Sequence, residues 1–172
     1  YIDPEHEGTR NALEGLLTHA TVRAEAAGIL EAIYESREEW DKLISTLEIL
    51  SMTTDESVRR VELLRKMAMT AATRLGQMPR AVEAQSKALI EDPAQADTRI
   101  ELEGYVEQSG ALDKLAAVYG EIANSVTDAV LARDYWLRLA AIHEQCARVE
   151  LAAECYEKVL GLDSSDVEAL EA

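Results

Sequence analysis

The sequence predicts an all-α protein, a helical solenoid of stacked antiparallel helix pairs, and three observations carry that reading. The chain repeats itself. Trp40-Asp41-Lys42-Leu43 matches Leu112-Asp113-Lys114-Leu115, and Leu64, Met67 and Ala68 match Trp136, Leu139 and Ala140, every pair separated by the same interval, that from position 40 to position 112. An internal period of this size marks units that stack because none buries both of its faces alone. The composition is rich in Ala and Leu, with no Phe and only 5% aromatic residues. That suits closely approaching helices, whereas β cores want aromatic and β-branched residues. Finally, apolar residues recur at spacings of three and four, and period-two alternation is absent.

The elements follow in order. Helices are expected at 5–17, 21–36, 39–52 and 55–75, with Gly76 in the connection that follows. The next, 79–91, opens on Pro79, whose missing N–H is no loss in a first turn. Asp92-Pro93 stops it, because the residue before a proline avoids α geometry. Helices at 94–109 and 111–124 flank Gly110, which like Gly76 is able to take a positive φ as a C-cap. Helices at 127–146, 149–161 and 164–172 complete the pattern. Thr53…Glu56, Ser125…Asp128 and Ser165…Glu168 have the form of capping boxes, a hydroxyl serving an orphan N–H with an acid near the positive helix end. Connections this short force antiparallel neighbours, and one pair takes about 35 residues, so the period holds two pairs. No Gly/Ser linker divides the chain, which reads as a single domain over 1–172. Tyr1-Ile2-Asp3-Pro4 resembles Leu89-Ile90-Glu91-Asp92-Pro93, which closes a repeat. A helix is still running at Ala172, so the chain is expected to be a piece of a longer array.

The net charge of −16 repels phosphate backbones and anionic lipid, which disfavours nucleic acid and membrane surfaces as partners. It serves solubility, or a cationic partner. Two cysteines, Cys146 and Cys155, make no disulfide framework and fit a reduced, cytoplasmic compartment. No apolar run reaches the roughly 20 residues of a membrane span.

Trp136-x-x-Leu139-Ala140-x-x-His143, continued by Ala152, Tyr156 and Val159, resembles the tetratricopeptide repeat. An earlier copy runs Leu64, Met67, Ala68, Ala71, then Ala81, Gln85, Ala88 and Pro93. A second type holds Leu102, Val106, Gly110, Leu112, Leu115, Tyr119 and Ile122, preceded by Leu30, Tyr34, Trp40, Leu43, Leu47 and Leu50. The resemblance covers about residues 27–163, as repeats at 27–60, 61–93, 94–130 and 131–163, with irregular helices over 5–26 and the start of a further helix at 164–172. Glu31 and Glu103 depart from it, standing where a small residue is usual, and His143 and Ala71 stand where Tyr is usual. Long arrays of divergent repeats of this kind in large bacterial proteins look similar.

The resemblance implies a right-handed α-α superhelix and a concave groove lined by the first helix of each pair. Carried over residue by residue, the groove shows Glu25, Ala32 and Glu35 from the first pair and Glu62, Arg65 and Met69 from the second. Asp97, Ile100 and Glu107 follow from the third, and Asp134, Leu137, Ala141 and Glu144 from the fourth. Its centre is small and apolar and its margins acidic, which suits a basic or amphipathic peptide or helix of a partner protein, though charge on one face is also what any solvated helix carries. The carboxylate clamp of chaperone-binding members lacks its cations here; Arg65 alone is basic.

Chemistry is thinly represented. His143, Cys146 and Cys155 fall short of the four ligands of a zinc site. There is no Gly-rich phosphate loop, no nucleophile elbow and no His-Glu-x-x-His. Neither enzyme activity nor a cofactor is expected. Trp40 and Trp136 match Leu112 and Leu64 and are expected in the core rather than as binding hot spots. The leading function is a protein-binding scaffold. The alternative is a structural spacer or self-assembly segment of a larger protein, with dimers formed through apolar ends near Ile2, Leu13 and Leu170.

Overall fold

The computed structural model describes residues 7–163 together with 169 and 170. Among these, the regular structure is helical throughout: α1 (Glu7–Leu16), α2 (Arg23–Ser36), α3 (Trp40–Thr53), α4 (Ser57–Thr73), α5 (Met78–Glu91), α6 (Ala96–Ser109), α7 (Leu112–Ser125), α8 (Ala129–Gln145) and α9 (Val149–Leu162). Each boundary falls within about two residues of its expected place, because Pro, Gly and the apolar period mark the same stops. The expected helix at 164–172 lies outside the described residues except at 169 and 170, which are helical.

The chain divides into two compact units, residues 1–92 and 93–172. In the first, α1 packs on α2, α2 on α3, α3 on α4 and α4 on α5; in the second, α6 packs on α7, α7 on α8 and α8 on α9. The sequence period is also a structural one. α7 begins and ends one period after α3, and α8 stands in the same relation to α4. Fully buried Leu30, Leu43, Leu47 and Leu89 form the core of the first unit. Leu102, Val106, Tyr119, Ile122, Tyr135 and Val159 do so in the second. Each such leucine contributes roughly 1.5–3 kcal/mol of transfer free energy.

The turns repeat as well. Glu38 (φ 58°) and Gly110 (φ 70°) are both left-handed and stand one period apart. So are Gly76 (φ 64°) and Ala147 (φ 56°), whose separation is a single position short of the period. The two glycines are where the sequence places left-handed caps; Glu38 and Ala147 are not. Both non-glycine positions close a Schellman motif. Glu39 N–H donates to the Tyr34 carbonyl at 2.9 Å and Glu38 N–H to Glu35 at 3.2 Å. Arg148 N–H donates to His143 at 2.8 Å and Ala147 N–H to Glu144 at 2.9 Å.

The capping boxes form differently from expectation. Thr53 and Ser125 are the last residues of α3 and α7, and their hydroxyls donate backwards, Thr53 to the Ile49 carbonyl at 2.9 Å and Ser125 to Ile122 at 3.2 Å. A hydroxyl one turn from a helix end finds those free carbonyls first. Asp128 is itself the N-cap of α8, accepting from Val130 and Leu131 N–H at 2.8 and 3.1 Å. Glu56 caps α4 without a side-chain hydrogen bond, and Ser165…Glu168 lies outside the described residues.

α1 buries none of its residues fully. Polar contacts attach it instead. Glu14 accepts from Tyr34 Oη at 2.7 Å and from Lys42 Nζ at 3.0 Å, and Arg10 pairs with Glu39 at 3.3 Å. The Tyr34 hydrogen bond, then that of Lys42, holds the Glu14 carboxyl below its ordinary range.

Candidate ligand-binding cavity

Two positions one period apart build matching ion pairs. Glu31 on α2 receives Lys66 of α4 at 2.8 Å, and Glu103 on α6 receives Arg138 of α8 at 3.7 Å. These are the two glutamates that stand where a small residue is usual. Their length spans the gap to the cation on the next helix but one. Burial opposes the charge on Lys66, but its bonds to Glu31 and Glu35 outweigh that and leave its pKa raised.

In the second unit this carboxylate organises a denser network. Glu103 accepts from Tyr119 Oη at 2.5 Å and pairs with Arg99 at 3.0 Å, while Arg138 donates to Asp134 at 2.8 Å. Burial, then the bond to the Glu103 carboxylate, pushes the Tyr119 phenol far above its usual range. The Tyr119 and Tyr135 rings meet edge to face at 5.2 Å, and Tyr135 Oη donates to the Pro93 carbonyl at 2.7 Å. Burial pushes the Tyr135 phenol up to about 12.

Beside this network α6, α7 and α8 enclose an open cavity of about 480 Å³. Val106, Leu115, Tyr119 and Ile142 give it an apolar floor; Glu107, Gly110, Leu112, Ala141 and Gln145 stand around it with Glu103 and Arg138. The volume falls in the range of ligand-binding pockets. It arises because α6 meets α7 less closely than α2 meets α3. α6 buries only Thr98, Leu102 and Val106, so it lacks a broad apolar face to seat against α7.

The repeat supplies an internal comparison. Where the cavity has Leu112 and Ala141, the first unit has Trp40 and Met69, each one period earlier. Where it has Tyr119 and Ile142, the first unit has Leu47 and Thr70. The second unit therefore carries smaller side chains at two of these positions and larger ones at the other two. Trp40, expected in the core, is only half-buried, with the Arg74 guanidinium 4.9 Å from its ring; Trp136 is half-buried too. The cause in the first case is position: Trp40 is the first residue of α3, lying under the end of α4.

Of the sequence-predicted groove residues, Glu25, Ala32 and Glu35 are exposed on α2. On α4, Glu62 is paired with Arg59 at 3.2 Å, Arg65 is half-buried and Met69 is exposed. Glu35 lies against Lys66 at 2.8 Å. Asp97, Ile100 and Glu107 are exposed on α6. On α8, Asp134 and Leu137 are half-buried, and Ala141 and Glu144 exposed, the last accepting from Tyr156 Oη at 2.9 Å. Only Glu107 and Ala141 line the cavity. Sequence reasoning missed Glu103, Tyr119 and Arg138. The usable signal was the pairing of Glu31/Glu103 with Lys66/Arg138 at one common spacing.

A second cavity, about 330 Å³, lies between α1, α2 and α3, but its Glu14, Tyr34 and Lys42 already bond one another. Among the described residues no three His, Cys, Asp or Glu side chains gather as a metal site. No described helix is long and apolar enough to cross a membrane. Protein-family models give no match to the chain, and the search of curated proteins finds no relative.

Proposed function

We propose that this chain is a non-enzymatic protein-binding module of tetratricopeptide-like helical repeats that holds a peptide or helix of a partner protein in the cytoplasm. The observation that carries the reading is the cavity on α6, α7 and α8: an apolar floor with carboxylates at its edge, on a frame whose helices recur with the period of the sequence. Repeated frames of this sort work by presenting side chains on a fixed surface. Apolar contact supplies affinity, and the acidic margins favour a basic or amphipathic segment and raise its on-rate.

The test is selection of short helical peptides from a displayed random library, followed by NMR mapping of the winners on the labelled chain. Binders enriched in Lys or Arg, mapping to α2, α4, α6 or α8, support the reading. A library that yields no binder, or binders confined to the turns, defeats it. Glu35→Lys and Glu107→Lys together should weaken such binders more at low salt than at high, since screening removes the difference.

Self-assembly is the second reading, favoured by one observation: α9 leaves Val149, Leu151 and Leu162 exposed. Light scattering decides it, a concentration-independent monomer mass ruling it out.

A further inference from the structure

We infer that the α6–α7–α8 cavity takes two neighbouring apolar side chains of a partner helix, with a lysine or arginine one turn further on docking against Glu107. This rests on the peptide-binding reading and names the chemistry of the occupant at one place.

Charge decides the sign of the guest. Glu103 is satisfied by Tyr119 and Arg99, and Arg138 is held by Asp134, so these groups neutralise one another at the cavity wall. Glu107 is exposed, and no described residue lies within ion-pair distance of it. Its carboxylate stands in the last turn of α6, whose C-terminal carbonyls carry partial negative charge. Ala141, Ile142 and Gln145 belong to the last turns of α8, a second negative helix end; the first turn of α7, at Leu112, offsets one of the two. A cation beside Glu107 thus meets an unpaired carboxylate, while an anion meets repulsion from it and from the chain's net charge of −16.

Size and polarity decide the rest. About 480 Å³ exceeds what one leucine fills, and the floor of Val106, Leu115, Tyr119 and Ile142 offers an apolar surface to side chains one helical turn apart. The first unit provides a built-in control, since Trp40 and Met69 occupy the places of Leu112 and Ala141.

The experiment uses an amidated helical peptide of about four turns, with Trp and Leu four positions apart and Lys one turn beyond. Two counterparts accompany it, one with Glu for that Lys and one with Ala for both apolar residues. Fluorescence anisotropy gives affinity, and NMR shifts of the labelled full chain give location. Shifts are expected at Val106, Leu115, Ala141 and Ile142. Affinity should fall at least tenfold in Leu112→Trp/Ala141→Met and severalfold in Glu107→Gln, and the Glu and Ala peptides should bind at least tenfold more weakly. Circular dichroism checks that the double variant stays helical, and Ala141→Met alone serves if it does not. Shifts elsewhere, or unchanged affinity in a folded cavity-filled variant, overturn the assignment and leave the broader peptide-binding reading standing on its library test. No shift at the cavity at millimolar peptide overturns it as well.

Discussion

Replacing Glu38 by glycine should make the protein more stable. Glu38 sits at φ 58°, where its Cβ crowds the following carbonyl. The left-handed conformation costs a non-glycine residue roughly 1–2 kcal/mol. Glycine removes that strain, but its freer unfolded chain returns roughly 0.4–1 kcal/mol of it. The side chain is exposed and holds no hydrogen bond or ion pair with a described residue, so nothing else is lost. The net gain is about 0.5–1 kcal/mol. For a chain of this length that raises the melting midpoint by about 2–4 °C per kcal/mol. Ala147→Gly, at φ 56°, should behave alike. The reverse exchanges, Gly76→Ala and Gly110→Ala, should destabilise by about 1 kcal/mol each; no neighbour would obstruct the new methyl, so the loss measures backbone strain alone. Calorimetry and urea titration of the four variants form a closed set. A Glu38→Gly variant less stable than the parent, alongside a neutral Gly110→Ala, would refute the idea that the four turns share one geometry.

The ionic and buried groups give four more expectations. Tyr119→Phe should cost about 1.5–2 kcal/mol in urea unfolding, because the Glu103 carboxylate loses a charge-assisted donor in a part-buried setting. Lys66→Met should destabilise by about 1 kcal/mol by leaving Glu31 short of a cation, while Lys66→Arg, copying Arg138, should be near neutral by the same assay. Glu14 keeps its charge to lower pH folded than unfolded, so its stabilisation is present above the ordinary value of 4.5 and is lost as pH falls through the depressed one. Melting midpoints from pH 7 to pH 3 should therefore drop less steeply in Tyr34→Phe, which lacks the first of the bonds responsible. Burial pushes the Cys155 thiol up to about 11, so mass spectrometry after alkylation at pH 8 should find Cys146 modified well before Cys155.

Several helix boundaries were legible because their chemical cause is written at one place: Pro79 and Pro93 through φ and the missing N–H, Gly76 and Gly110 through the absent Cβ. The left-handed Glu38 and Ala147 were not, since neither residue type signals that geometry locally. The alignment alone points to Glu38, one period before Gly110, and it misses Ala147 by a single position. Thr53 and Ser125 misled for the opposite reason: their spacing to an acid fits a cap, but a hydroxyl ending one helix bonds the carbonyls behind it before it reaches the N–H groups ahead. Little of the cavity was legible. Glu107 and Ala141 follow from the repeat resemblance carried over position by position, whereas the standing-off of α6 from α7 is a difference in packing, which no spacing rule encodes.

The attachment of α1 has a consequence of its own. A helix with no fully buried residue, held by ion pairs beside its apolar contact, answers to ionic strength as well as to heat. At 1 M salt the screening length is about 3 Å, comparable to the 3.0 and 3.3 Å reach of Lys42 and Arg10 to their carboxylates. Salt of that strength weakens these two ion pairs, while the Tyr34 hydrogen bond to Glu14 and the leucine interior behind the helix are left in place.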